Sequence, residues 1–263
     1  MLDAPPAAFD EALLSRIEDA GINASAPPQQ RWMDGWLLRF NPGKAKRARC
    51  INAVAEGRLP LDDKLRLAHA AFAEAALPLV VRITRFTQPP QLDSQLAEHG
   101  YTLLDDTRVM VRTALPTGAS APAPLPAGLK WVPLAAVAYA QTVGALRGST
   151  PEQRSAHAQR LLLSPVPYQG FAIQRASDDS TLACGQFARE AELVGLYDVY
   201  THSEARNKGL AQGLCERLLA LAAQEGACTG YLQVEGDNTV ARRIYSRLGF
   251  ADGYSYHYRQ PPL

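Results

Sequence analysis

Cysteine is scarce in this chain: four in 263 residues, Cys50, Cys184, Cys215 and Cys228, spaced as neither a metal-ligand set nor a disulfide framework. They read as reduced, mostly buried thiols of a cytoplasmic protein, and no metal site is expected. No apolar run reaches the ~20 residues that a membrane-spanning helix needs. The opening Met1-Leu2-Asp3-Ala4-Pro5-Pro6 lacks the basic-then-apolar build of a secretory leader. Net charge is nearly absent too, 27 Lys+Arg against 26 Asp+Glu, so no global field draws nucleic acid or a membrane surface. Two common phosphate loops are missing: no Gly-x-x-x-x-Gly-Lys-Ser/Thr string occurs, and Gly209 and Gly213 do not supply Gly-x-Gly-x-x-Gly.

What is present concentrates between Leu193 and Phe250. The run Leu193–Thr201 is strand-like, and Leu210–Ala223 is helix-like. Between them lies Arg206-Asn207-Lys208-Gly209-Leu210-Ala211. A strand feeding a small-residue loop that opens a helix aims unpaired N–H groups and the positive dipole end at one point. That is an anion site of a size for a diphosphate, and glycine and alanine let it approach the backbone. Downstream, Tyr231–Val234 reads as a buried strand, and Asn238 as the N-cap of a helix closed by Gly249. Ala241, Ile244 and Leu248 form its inner stripe, and Asn238 and Tyr245, seven residues apart, lie on roughly one face.

Three parts in this order, the strand ending Asp198-Val199-Tyr200-Thr201, the Arg-x-x-Gly-x-Ala loop, and Asn-x-x-Ala-x-x-x-Tyr-x-x-x-Gly-Phe, resemble the core of the GCN5-related N-acetyltransferase (GNAT) superfamily. Ala211 stands where many members carry a second glycine. The resemblance implies an α/β (α+β mixed-sheet) fold in 128–263, with a sheet that splays open beside the loop. It implies acetyl-CoA as cosubstrate and transfer of an acetyl group to an amine, by direct attack in a ternary complex. Asn207 to Ala211 would then hold the pyrophosphate, with Arg206 and Lys208 beside it. Val199, Tyr200 and Thr201 would offer a strand edge to the pantetheine amides, and the N–H of Val199 would polarise the thioester. Asn238 joins the cofactor set, and Tyr245 matches the family's proton donor to the leaving thiolate. For the general base, Asp198 leads because a carboxylate in an apolar strand is costly without a partner or a task. Glu235 is the second choice.

Residues 114–127, rich in proline and alanine, read as an extended linker with little to pack. Ahead of it, 1–113 alternate helix and strand patterns: a helix through Phe9, Leu13 and Ile17, a strand at Trp36–Phe40, a helix at Leu61–Phe72, a strand at Leu79–Ile83 and a closing strand at Arg108–Arg112. The helix–Gly100–Tyr101–strand sequence echoes Leu248-Gly249-Phe250 and its strand, which suggests a smaller, degenerate copy of the same fold. Without its own phosphate loop, this half is expected to bind no cofactor and to wall the acceptor cleft. The basic run Lys44–Arg49 lacks interleaved aromatics and reads as a solvated loop. The expected partner is a small-molecule amine, an amino acid included, with no nucleic acid and no membrane; no pattern addresses assembly. Protein lysines and N-termini stay open as acceptors. So do two other classes, a CoA-binding sensor without turnover and a chromatin-associated factor.

Overall fold

The computed structural model describes residues 9–116 and 124–262. The opening Met1–Pro6 and the centre of the linker lie outside the described residues. In chain order the elements are α1 (Glu11–Ala24), β1 (Gln29–Met33), β2 (Trp36–Phe40), a 3-10 turn (Lys46–Ala48), β3 (Ile51–Ala53), α2 (Leu61–Glu74), β4 (Val81–Thr84), α3 (Leu92–Glu98) and β5 (Thr102–Arg112). Then follow β6 (Leu129–Leu134), α4 (Ala136–Leu146), α5 (Pro151–Leu162), β7 (Tyr168–Arg175), β8 (Thr181–Glu190), β9 (Leu193–Thr201), a 3-10 turn (Ser203–Ala205), α6 (Leu210–Gln224), β10 (Thr229–Glu235), α7 (Thr239–Arg247) and β11 (Ala251–Gln260).

Local chemistry accounts for several of these boundaries. Thr150 and Gln153 form a reciprocal capping box at the start of α5, with Pro151 at its first turn. Asn238 accepts the N–H of Ala241 and opens α7. The echo between the halves is structural: Tyr101 N–H donates to Leu96 O at 2.9 Å and Phe250 N–H to Tyr245 O at 3.0 Å. Gly100 and Gly249 carry the positive φ, +80° and +83°, that this helix ending requires.

All eleven strands of the described residues form one mixed sheet in the order β1-β2-β3-β4-β11-β5-β10-β9-β8-β7-β6. The β3–β4 and β9–β10 pairs are parallel and the other neighbours antiparallel. The last strands are exchanged. β5, from the first half, lies between β10 and β11, and β11 pairs on its other edge with β4. The two halves therefore share a continuous hydrogen-bonded layer.

Period-two alternation assigns the faces. Phe171 and Ile173 of β7 pack in the cluster that holds Leu214 and Leu218 of α6, whereas Ala172 between them packs with Tyr139 and Val143 of α4. In the first half, Trp36, Leu38 and Ile51 pack against Ala68 and Phe72 of α2. β2 is buried at Trp36 through Arg39, so it is an inner strand rather than the half-buried one its alternation suggests. Helix α1 buries Leu14, Ile17 and Ala20 among Val109, Val111 and Tyr254, which come from both halves.

The linker expectation needs one correction. Leu115 is buried and donates its N–H to Cys228 O at 2.8 Å, and Leu125 packs against the α6 core. Two leucines thus fasten the described ends of that segment to the second half. Among the described residues no helix is long and apolar enough to cross a membrane, and no group of side chains is arranged to hold a metal ion.

Candidate active site

β9 and β10 run as a parallel pair only from Leu193/Thr229 to Leu196/Leu232. Beyond that point β10 continues on β5 as far as Glu235/Thr107, while β9 continues on β8. The two strands part, and a gap opens between them.

A bulge sits where they part. The β8–β9 register passes from Gln186/Tyr197 to Cys184/Tyr200, so Asp198 and Val199 together oppose Gly185. Asp198 takes the left-handed conformation, φ +52°, which aspartate tolerates better than most residues. The hydroxyl of Tyr139 donates to Asp198 O at 3.1 Å and pins the bulge to α4. A bulge re-aims the side chains and amides around it, here at the mouth of the gap.

The loop after β9 is built as its composition requires. Asn207 and Gly209 have φ +60° and +74°, and Gly209 is the residue from which α6 starts. A side-chain carbon added at Gly209 or Gly213 would meet nothing within 4 Å, so the ground above the helix start is open. The first N–H groups of this 15-residue helix face that space without a side-chain cap. Arg206 turns back to donate to Thr201 O at 3.4 Å, and Lys208 is exposed. Thr201 Oγ1 is buried with no hydrogen-bond partner among the described residues. An uncapped helix start, open ground above its glycine and an orphan acceptor on the adjoining strand together fit a diphosphate carrying an amide-bearing arm.

A cavity of about 430 Å³ lies in the gap between the strands. Leu196, Asp198, Val199, Gln233, Glu235 and Asn238 line it from the second half, together with Tyr245. Arg147, just past the end of α4, and Gln153, His157 and Arg160 of α5 also line it. Asn41, Lys44, Lys46, Arg47, Asp105 and Thr107 line it from the first half, so that half walls the cleft. The basic run read as a solvated loop is therefore part of the cavity. Lys46 is ion-paired to Asp105, and Arg47 Nη1 donates to the Tyr256 hydroxyl at 3.2 Å. The spacing of Lys44–Arg49 carried no sign of this, because strand exchange brings β5 and β11 beneath the turn.

Tyr245 and Asp198 differ sharply in their surroundings. The Tyr245 ring packs edge-on to Phe250 with centroids 6.2 Å apart, and no hydrogen bond from a described residue reaches its hydroxyl. Burial raises its pKa well above the usual phenol value, so the phenol keeps its proton. Two donors grip Asp198, Arg147 Nη1 at 2.6 Å from Oδ1 and Gln186 Nε2 at 2.8 Å from Oδ2, while His157 Nε2 stands 3.3 Å from Oδ2, close enough for an ion pair but outside hydrogen-bond geometry. Burial alone would raise its pKa, but the Arg147 guanidinium, the His157 contact and Arg160 hold it well below the usual carboxylate range. A carboxylate so stabilised stays ionised at neutral pH and is a weak proton acceptor. Glu235 sits exposed at the end of β10.

His157 is the residue that sequence reasoning passed over. Helix α5 carries it, its ring lies edge-on to Tyr139 with centroids 6.5 Å apart, and its side chain is 17% exposed. No ligand spacing marks it, and its proximity to Asp198 spans 41 residues of chain. His202 and His257 are engaged elsewhere: His202 caps the turn at Glu204, and His257 contacts Asp93 at 2.9 Å.

The Acetyltransferase (GNAT) family model matches residues 141–250, a span that contains the bulge, the loop and α7. The chain is 25% identical over 230 residues to the "Uncharacterized N-acetyltransferase YobR" of Bacillus subtilis (strain 168), covering 88% of this chain and 91% of that protein. A GCN5-related N-acetyltransferase from Kribbella flavida superposes with a TM-score of 0.65 at 18% identity, over 97% of both chains. A tandem GNAT protein from the clavulanic acid biosynthesis pathway does so with a TM-score of 0.59 at 15% identity, over 74% of this chain and 68% of that one. The two structures share the fold. Taken with the parted strands, the bulge and the helix-opening loop, all of which lie within the matched span, the family match identifies residues 141–250 as an acetyltransferase (GNAT) family domain.

Proposed function

We propose that this enzyme transfers an acetyl group from acetyl-CoA to a small-molecule amine that enters the cavity and attacks directly. The observation that carries the reading is the continuity of the site: an uncapped helix start at Gly209, a gap between β9 and β10, and a cavity lined by Tyr245 follow one another. Acetyl-CoA would supply the thioester, with its diphosphate on the amides of Asn207 to Ala211. Arg206 and Lys208 would add positive charge nearby, and Asn238 would hold the start of α7 beside it. Val199, Tyr200 and Thr201 would offer the parted strand edge to the amide arm. The N–H of Val199, turned by the bulge, would face the carbonyl where negative charge grows.

Two side chains would serve the proton chemistry. Tyr245, protonated and with a hydroxyl that no described residue hydrogen-bonds, would donate a hydrogen bond to the departing sulfur. We assign the base role to His157 rather than to Asp198. Asp198, ionised and gripped by Arg147, would orient the imidazole and stabilise the imidazolium formed when the amine gives up its proton. Among the described residues no cysteine lines the cavity, which supports attack within a ternary complex.

Calorimetry with acetyl-CoA and CoA, followed by a thiol-release assay over an amine library, tests the reading. Heat of binding and turnover of at least one free amine are expected. Absence of heat at millimolar CoA would remove the diphosphate site, and binding without turnover of any amine would leave a CoA-binding protein instead of an enzyme of this reaction.

A further inference from the structure

The cavity holds more positive charge than its own acids neutralise. Its lining includes Lys44, Lys46, Arg47, Arg147 and Arg160, against Asp105, Asp198 and Glu235. Asp105 is taken by Lys46 and Asp198 by Arg147. Among the described residues no carboxylate contacts Lys44, Arg47 or Arg160. Lys44 Nζ donates to Arg147 O at 3.3 Å. Arg160 is 6% exposed and reaches only Ala24 O at 3.3 Å and the Tyr168 hydroxyl at 3.4 Å. Arg47 donates from Nη1 to Tyr256, while its Nε is buried without a partner.

Arg160 and the Nε of Arg47 are buried, whereas Lys44 is exposed; removing a guanidinium from water without a counter-ion is costly, and a fold retains the two arginines in this state most readily when a ligand completes them. None of residues 206–211 lines this cavity, so these cations are separate from the loop assigned to the diphosphate. The volume of about 430 Å³ suits a small molecule. A guanidinium presents a planar fork that pairs with an oxyanion in two parallel hydrogen bonds, and a lysine nearby adds a mobile charge.

We propose that the acceptor is an anionic amine, an amino acid or a phosphorylated amine, whose acidic group is received by Arg47 with Lys44 and Arg160. Its amino group would then lie on the Asp198 and Tyr245 side of the same cavity. The proposal rests on the acetyl-transfer reading and narrows its substrate class.

The test compares matched amines on the wild-type enzyme at saturating acetyl-CoA: the standard amino acids against their carboxamides, and O-phosphoethanolamine against ethanolamine. In at least one pair the anionic member is expected to have a kcat/KM higher by about tenfold or more, the contribution of one charge-assisted pair. Arg47→Gln should raise KM for that substrate and leave its neutral partner little changed. The two sets of pairs separate a carboxylate from a phosphate. Neutral members turned over as well as or better than their anionic partners would overturn the proposal while leaving the transferase intact. If no amine is turned over, melting temperatures with CoA and the same pairs decide. Stabilisation confined to anionic members keeps the anion site, and equal or absent stabilisation removes it.

Discussion

Replacing Tyr245 by phenylalanine removes one oxygen and little else. No described residue hydrogen-bonds that oxygen, and the ring contact to Phe250 at 6.2 Å is retained. Folding stability should therefore change by no more than about 0.5 kcal/mol, the usual range for substitutions that break no partner. The catalytic cost follows from two acidities. A thiol has a pKa of about 8.5, whereas burial drives the Tyr245 phenol above its ordinary value. Full proton transfer to the leaving sulfur is uphill, so Tyr245 supports the thiolate with a hydrogen bond more than with its proton. That places the loss at or below the low end of general-acid effects, about 10- to 100-fold, or about 1.4–2.7 kcal/mol of barrier. Steady-state thiol release should show the fall in kcat, with CoA affinity by calorimetry unchanged. Because the phenol stays protonated, its ionisation should add no alkaline limb to the wild-type profile below about pH 10. An unchanged kcat, or a fall in kcat matched by an equal loss of CoA affinity, would refute the assignment.

Three further outcomes are expected. His157→Gln should lower kcat by about 100-fold or more with CoA affinity unchanged, whereas Asp198→Asn, which removes only the group that orients the imidazole, should lower it less; the reverse order would return the base role to Asp198. Gly209→Val places a branched residue at φ +74° with no clash, so it should cost about 1–2 kcal/mol of stability and weaken CoA binding by more than that strain accounts for. Full CoA affinity in this variant, measured by calorimetry, would show that the loop is not the diphosphate site. Glu18→Gln strips the buried partner of Arg82, which hydrogen-bonds Glu18 Oε2 at 3.0 Å beside the Tyr254 hydroxyl at 2.6 Å, and should cost about 3–5 kcal/mol at neutral pH. Burial alone would raise the Glu18 pKa, but Arg82 outweighs it and holds the folded-state value below the ordinary one. The stabilisation is thus complete above the ordinary carboxylate pKa and lost as pH falls through the depressed one. Thermal melts from pH 7 downward should show wild type and variant converging in acid, and parallel curves would argue against the pair.

The parts of the site that lie close together in the chain were legible. β9, the loop and the N-cap of α7 each declare themselves by local pattern, and the bounds of β9 agree with the reading to the residue. The acid in that strand was noticed for the right physical reason, its cost, but its partners come from α4, α5 and β8. No local pattern encodes Arg147 or His157. The same limit hid the strand exchange: a helix, a glycine and an aromatic predict that β5 and β11 are alike, but not that each pairs across the boundary. The N-terminal wall of the cleft was anticipated, whereas the side chains that build it sat in the run taken for solvated surface.

The crossing of β5 and β11 bears on how the protein comes into being during synthesis. By the time residue 112 emerges from the ribosome, one neighbour of β4 and both neighbours of β5 are still unmade, and β11 is the last strand of the sheet in chain order. The sheet cannot close until β11 is released, and neither half has a finished interior before then. Fragments ending anywhere before about residue 250 should be insoluble or trapped by chaperones, and the ten residues of β11 act as the latch of the sheet.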